Sequence, residues 1–317
     1  MTSQAAPIPV LSLADAPSAA FADALGDSFR RFGFAIVRDH GIAEDLIADA
    51  WRLSAAFFAL PEAAKRRYHV PGGGGQRGYT PFRQEIAKGA RATDLKEFWH
   101  VGREATADAP LPEGMAANLW PDEIEGFRER LTRLFAEFDR AGATLLSAIA
   151  THLGLAPDWF VAPTDQGNSI LRLLHYPALT DAGDRSDGAV RAGAHEDINL
   201  ITLLLGAEEA GLQLLDKNGR WVDIRPPEGA MVINIGDMLQ RLTNHVLPST
   251  THRVVNPPEE RHAVSRYSMP FFLHPHPDFR IAALESCVSA DNPVRHPPIS
   301  AQDYLTERLR EIGLVKG

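Results

Sequence analysis

Residues 194–206 read AHEDINLITLLLG. The apolar run suits a buried β-strand, yet it opens on His195, Glu196 and Asp197. A strand end that reaches solvent would account for polar residues there; a metal site would account for these particular ones. Side chains alternate along a strand, so His195 and Asp197 are expected on one face and Glu196 on the other. An imidazole and a carboxylate that project together can chelate a divalent ion. His-x-Asp arises often by chance, however, and the metal reading needs a third ligand.

Two histidines follow in TNHVLPSTTHRVVNP, residues 243–257. His245 precedes Pro248 and a Ser/Thr cluster, which reads as a loop. His252 leads into Arg253-Val254-Val255, a β-branched run that reads as a strand, and a strand positions a ligand more rigidly. His252 is therefore taken as the third ligand. Two histidines and a carboxylate with no cysteine nearby match the facial triad of non-haem Fe(II) oxygenases, with catalytic zinc as the competitor. Further on, AVSRYSMPFF (residues 263–272) places Arg266 and Ser268 at i, i+2 spacing, on one side of a strand. The turn-rich NPPEERH before it predicts a hairpin that brings Arg266 beside His252. Arginine can clamp a carboxylate through two bonds, and serine adds a donor. A buried arginine near a metal needs an anionic partner, which a dicarboxylate co-substrate would supply.

The rest of the chain frames this site. It has 317 residues, 44% hydrophobic and 23% charged, with a formal net charge of −9. That is globular composition with no basic stripe, which argues against a nucleic-acid partner. No apolar run is long enough to span a membrane, no secretory signal is evident, and the lone Cys287 fits a reducing compartment, so a cytoplasmic protein is expected. No pattern decides the oligomeric state. IPVLSL (8–13) and FGFAIVRDHGI (32–42) read as strands. Helices are expected from about Ser18 to Arg31, up to the FFALP of residues 57–61, from Pro121 to about His152, and from about Ser300 to Ile312, the last opening with Ser300 and Asp303 in capping-box spacing. After residue 165, short apolar runs alternate with turn signals, including the hairpin signal Lys217-Asn218-Gly219. The fold class is mainly β with flanking helices. The loop PGGGGQ (71–76) reads equally as a mobile loop at a site mouth or as a linker. Arg77, Tyr79, Phe98, His100 and Phe272 are candidate pocket residues, with Phe98 and Phe272 expected in the core.

His195-x-Asp197, His252 and Arg266-x-Ser268 together resemble the Fe(II)- and 2-oxoglutarate-dependent dioxygenases, in particular the isopenicillin N synthase-like branch that includes plant flavonoid, gibberellin and aminocyclopropane-carboxylate oxidases. The two histidines are 57 residues apart, as in that branch. The likeness covers most of the chain: IPVLSL, FGFAIVRDHGI, FFALPEAAKRR, RGYTPF and DLKEFW at the N-terminal side, then GLQLLDKNGRWVDIRP and MVINIGDMLQRLTN. It implies a distorted double-stranded β-helix (jelly roll) core. It also implies Fe(II) on His195, Asp197 and His252, and 2-oxoglutarate held by Arg266, Ser268 and Tyr176, with dioxygen as the oxidant. The implied activity is hydroxylation or desaturation of a small organic substrate with release of succinate and CO2. An N-terminal mixed α/β region would span 1–120, a long helix and connection 121–164, the core 165–280, and a C-terminal segment and helix 281–317. Two features depart from the plant enzymes: Leu174 stands where they often have Asn, and the 14-residue step from His252 to Arg266 is longer. The alternatives are an iron oxidase or cyclase of the same fold that does not use 2-oxoglutarate, and a non-catalytic ligand-binding barrel.

Overall fold

The computed structural model describes residues 8–86, 92–179, 189–205 and 211–311. The strands of its two main sheets are β1 (Val10–Ser12), β2 (Phe34–Arg38), β3 (Gly78–Thr80), β4 (Glu97–Gly102), β5 (Ile170–Tyr176), β6 (Ala192–His195), β7 (Ile201–Leu205), β8 (Leu212–Leu215), β9 (Trp221–Asp223), β10 (Met231–Ile235), β11 (His252–Val254) and β12 (Arg266–Leu273). A large sheet runs β1-β2-β10-β7-β12-β5-β4-β3, and a small one runs β6-β11-β8-β9. Only β1 and β2 pair in parallel; the other pairs are antiparallel. Between the sheets lies an apolar interior drawn from both: Phe34, Leu174, Tyr176 and Val232 from one side, Ala192, Leu214 and Val254 from the other. This is a jelly-roll core with flanking helices, as the family resemblance implies.

Alternation along the large sheet sorts its residues into two layers. On β12, Met269, Phe271 and Leu273 face the helices, while Arg266, Ser268 and Phe272 occupy the alternate positions. The outer layer is built from α1 (Ala19–Phe32), α2 (Glu44–Phe58), the short α3 (Glu62–Arg66) and α4 (Phe127–His152). Phe271 stacks on Phe138 of α4 and meets Phe135 edge-on, with centroids 5.4 and 5.0 Å away. Gly142 lets α4 come close: a Cβ there would lie 2.3 Å from Leu273 Cδ1. Ser18 caps α1, its hydroxyl accepting from Phe21 N–H at 3.2 Å. The remaining helices include α5 (Val161–Thr164), α6 (Asp237–Leu242) and α7 (Ala301–Glu311). The Ser300 hydroxyl accepts from Asp303 N–H at 3.0 Å, so the capping spacing marks the start of α7. The expected end at Ile312 lies outside the described residues.

Three expectations need correction. AHEDINLITLLL is not one strand: β6 ends at His195, Asp197 lies in the connection, and β7 starts at Ile201 in the other sheet. β11 and β12 do not form a hairpin. β11 pairs with β6 and β8, whereas β12 pairs with β5 and β7, because the turn-rich segment between them crosses from one sheet to the other. Arg266 is therefore the register partner of Tyr176, not a hairpin neighbour of His252. The long helix begins at Phe127 rather than near Pro121, since Gly126 precedes it at φ 75°, outside helical geometry. The N-terminal region contributes strands to the large sheet, β2 pairing with β10 and β4 with β5.

Candidate metal centre and its cavity

His195 and His252 are register partners across β6 and β11, with ring centroids 4.4 Å apart. Asp197 Oδ1 lies 3.6 Å from His195 Nε2 and 3.8 Å from His252 Nε2. One ligand atom from each of the three residues lies within 4.8 Å of the others. The fourth candidate, His245, is not among them; its Nε2 meets His296 Nε2 at 3.0 Å.

Each of these facing atoms is bare because its partner atom is occupied. His195 Nδ1 donates to Gly193 O at 2.7 Å, and His252 Nδ1 donates to Thr250 O at 3.1 Å. A carbonyl can only accept, so each neutral ring carries its proton on Nδ1 and turns an Nε2 lone pair to the centre. Asp197 Oδ2 accepts from Thr202 Oγ1 at 2.5 Å and Asn234 Nδ2 at 2.8 Å, which leaves Oδ1 for the centre. Burial pushes the Asp197 carboxyl up, but the two imidazoles and these two hydrogen bonds hold it below the ordinary carboxylate range. Burial, together with the neighbouring His252, brings the His195 imidazole down to about 4. Two neutral imidazoles and one carboxylate, with no sulfur, fit a borderline divalent ion such as Fe(II).

Sequence reasoning missed Thr202 and Asn234. They are register partners on β7 and β10 and face inward from otherwise apolar strands, ITLLL and MVINI. One polar residue on the inner face of such a strand was the available signal. Asn199 Nδ2 in turn donates to Thr202 Oγ1 at 2.8 Å.

Glu196 is exposed and accepts from Thr251 Oγ1 at 3.1 Å. Arg266 and Ser268 are both buried on the inner face of β12, with Nη1 3.3 Å from the Ser268 hydroxyl. The Arg266 guanidinium lies 5.0 Å from the Tyr176 ring centre. Burial lowers its pKa, and the Tyr176 hydroxyl acts in the opposite direction.

A cavity of about 490 Å³ opens beside His195 and Asp197. Phe98, His100 and Phe272 line it, so Phe98 and Phe272 are not core residues alone. Gly72, Gly74 and Gly75 of the glycine loop reach its wall, as do Leu305 and Leu309 of α7. Arg77 and Tyr79 turn elsewhere: the Arg77 guanidinium bonds Asn168 Oδ1 and two carbonyls, and the Tyr79 hydroxyl bonds Glu97. Also missed were Arg172, whose guanidinium lies 4.1 Å from the Phe98 ring centre and 5.0 Å from that of Phe272, and the buried His274, pushed down to about 3 by burial and Arg77.

Residues 8–123 match the family model described as non-haem dioxygenase in morphine synthesis N-terminal, and residues 167–275 match the 2OG-Fe(II) oxygenase superfamily. The chain is 32% identical over 284 residues to the 2-oxoglutarate-Fe(II) type oxidoreductase hxnY of Emericella nidulans, covering 86% of this chain and 79% of that one. Among solved structures, a 2OG-Fe(II) oxygenase family protein from Caulobacter crescentus is 51% identical, with a TM-score of 0.87 over 96% of this chain and 99% of its own. A full-length Neurospora crassa protein, solved in complex with alpha-KG and thymine, is 30% identical, with a TM-score of 0.85 over 96% of each chain.

Proposed function

The chain belongs to the 2-oxoglutarate–Fe(II) oxygenase superfamily, and from that premise we propose that His195, Asp197 and His252 are its iron ligands and that Arg266, Ser268 and Tyr176 hold the distal carboxylate of 2-oxoglutarate. The enzyme is an oxidising, 2-oxoglutarate-dependent dioxygenase that uses Fe(II) and dioxygen. The observation that carries the assignment is the convergence of His195 Nε2, His252 Nε2 and Asp197 Oδ1, each bared because its partner atom is hydrogen-bonded elsewhere. When bound, Fe(II) supplies the redox chemistry by which dioxygen converts 2-oxoglutarate to succinate and CO2 and oxidises the substrate.

The protein's own part is positional. Thr202 and Asn234 orient Asp197, the two backbone carbonyls set both imidazole tautomers, and Arg266 with Ser268 offers the charge-assisted clamp for a carboxylate. The substrate is a small molecule in the cavity, oriented by the aromatic faces of Phe98 and Phe272 and by Arg172, His100 and His274. That lining favours a planar, partly polar compound with hydrogen-bond acceptors. Thymine, with which the similar Neurospora protein was solved, combines those features. Among the described residues no helix is long and apolar enough to cross a membrane.

The test is an iron titration and succinate assay on three variants. His252→Ala should lose both activity and most iron binding, while His245→Ala keeps substantial activity. Arg266→Leu should keep iron but bind 2-oxoglutarate tens-fold more weakly, a charge-assisted pair being worth on the order of 2–5 kcal/mol. Equal iron loss in the two histidine variants would remove His252 from the ligand set, and unchanged 2-oxoglutarate affinity in Arg266→Leu would remove the clamp.

A further inference from the structure

Arg191, just before β6, has no exposed surface. Its backbone N–H donates to Asn256 Oδ1 at 3.0 Å, and Nη2 donates to Val264 O at 2.9 Å. Its Nε and Nη1 are buried with no hydrogen-bond partner among the described residues. No carboxylate pairs with it among the described residues. Its guanidinium carbon lies 6.0 Å from the Tyr176 ring centre, and that of Arg266 lies 5.0 Å from the same ring. Burial lowers the Arg191 pKa to about 10, and the neighbouring charge of Arg266 contributes in the same direction. Two buried guanidinium groups thus flank one tyrosine, and one of them has two unused donors.

A buried charge with open donors is costly unless an acceptor completes it. Lys96, the other buried cation near Tyr176, is satisfied within the protein by Glu85 and Asp94, at 2.6 and 2.8 Å. Arg191 has no such pairing, and the ligand expected beside Arg266 ends in a carboxylate with two oxygens and about four acceptor sites.

We propose that Arg191 is a second guanidinium of the co-substrate anchor, holding the distal carboxylate of 2-oxoglutarate jointly with Arg266 beside the Tyr176 ring. The inference rests on the assignment of Arg266 and Ser268 to that carboxylate. Without ligand the two arginines repel each other in a buried site; the dicarboxylate relieves both. The opposing account is that Arg191 only ties the segment before β6 to Val264. The two accounts differ in sign. As an anchor, Arg191 can be replaced by an uncharged residue without lowering the stability of the ligand-free protein, while affinity for the dicarboxylate falls. A tie would lose stability and would weaken every 2-oxo acid alike.

The experiment is calorimetric titration of Zn(II)-loaded protein, which does not turn over, with 2-oxoglutarate and with 2-oxovalerate, the five-carbon 2-oxo acid lacking the distal carboxylate. Thermal unfolding of the ligand-free protein is measured alongside. Arg191→Met should bind 2-oxoglutarate at least tenfold more weakly and 2-oxovalerate within about threefold of wild type, with no fall in Tm. Arg191→Lys, which keeps a charge but loses the planar fork, should show at least a threefold loss for 2-oxoglutarate alone and serves if the methionine variant does not fold. Equal losses for the two acids, or unchanged 2-oxoglutarate binding in both variants, would overturn the proposal. Arg266→Met is the control. If it loses 2-oxoglutarate affinity while the Arg191 variants do not, only the role of Arg191 fails; if it too is unchanged, the anchor itself fails.

Discussion

On the outer face of β4 and β5, toward the helices, the Glu97 carboxylate accepts from Lys65 Nζ at 2.6 Å and the Tyr79 hydroxyl at 2.5 Å, and lies 2.7 Å from His175 Nδ1. On the inner face of the same two strands, His100 Nε2 accepts from Arg172 Nε at 2.5 Å, and Glu85 meets Lys96 at 2.6 Å and Arg172 at 3.5 Å. Both clusters bury charge, but only the outer one is closed. Around Glu97 both oxygens are used, and the His175 ring is held between Phe58 and Tyr267, with centroids 5.2 and 4.7 Å away. On the inner side Arg172 spends Nε on His100 and Nη1 on Glu85, and its Nη2 makes no bond among the described residues. A closed buried network contributes to holding the fold; one with open donors facing a cavity is completed by a ligand.

The largest effect should come from breaking the closed cluster. Glu97→Ala takes the carboxylate from His175 and leaves Lys65 and Tyr79 with only the exposed Glu62, and removing one partner of a buried ion pair costs about 3–5 kcal/mol. Denaturant unfolding should show that loss, while the folded variant keeps iron and 2-oxoglutarate affinities within a few-fold. Arg172→Leu should do the reverse. Glu85 retains Lys96, so stability falls less, but stimulation of 2-oxoglutarate turnover by a true substrate should disappear while basal turnover persists. If Arg172→Leu cost more stability than Glu97→Ala, the division between closed and open clusters would be wrong.

What could be read from the sequence follows the range of the forces involved. The clustering of His195, Asp197 and His252 was legible because metal chemistry restricts residue type and spacing tightly. The strand expected to place Asp197 ends two residues earlier, yet Asp197 still meets His195: the connection between the sheets turns its carboxylate inward, toward Thr202 and Asn234. The pairing of Arg266 with Tyr176 was not legible, because turn-formers between two strands look alike whether the chain folds back or crosses to another sheet. Arg191 and Arg172 were missed for a related reason. Each is a lone arginine beside or within an apolar run, and only long-range packing reveals that its charge is buried next to another cluster.

The inner cluster should also register in acid. Burial lowers the pKa of His274 to about 3 and, reinforced by Arg172, that of His100 well below its ordinary value. Unfolded, both rings take up protons near pH 6.5; folded, neither does until the pH is much lower. Between about pH 6.5 and 4 the unfolded chain therefore binds more protons, and stability falls as pH falls. Each fully buried ring contributes up to about 1.4 kcal/mol per pH unit. The His195 contribution, held at about 4, is smaller because its ring is partly exposed. Chelator-treated protein should thus lose stability steeply over this range, and His274→Leu should flatten the slope measurably. An unchanged slope in that variant would place the proton uptake elsewhere.

The smallest effect is expected at the residue that stands between two of the proposed ligands. Glu196 is exposed, and its one side-chain bond is to the Thr251 hydroxyl at 3.1 Å. A solvent-exposed bond of that kind contributes about 0–1 kcal/mol. Asp197, one residue on, is buried, and its two oxygens are divided between the centre and the Thr202–Asn234 pair. Glu196→Gln preserves a side-chain oxygen for Thr251 and changes one charge at the cavity rim. Iron binding and basal succinate formation should therefore stay within a few-fold of wild type, whereas Asp197→Ala leaves two imidazoles without the anionic ligand and should lose both. A titration of the two variants side by side decides the matter. If Glu196→Gln were severe and Asp197→Ala mild, the carboxylate at the centre would be Glu196, and the turn that carries the chain from β6 to β7 would face the other way.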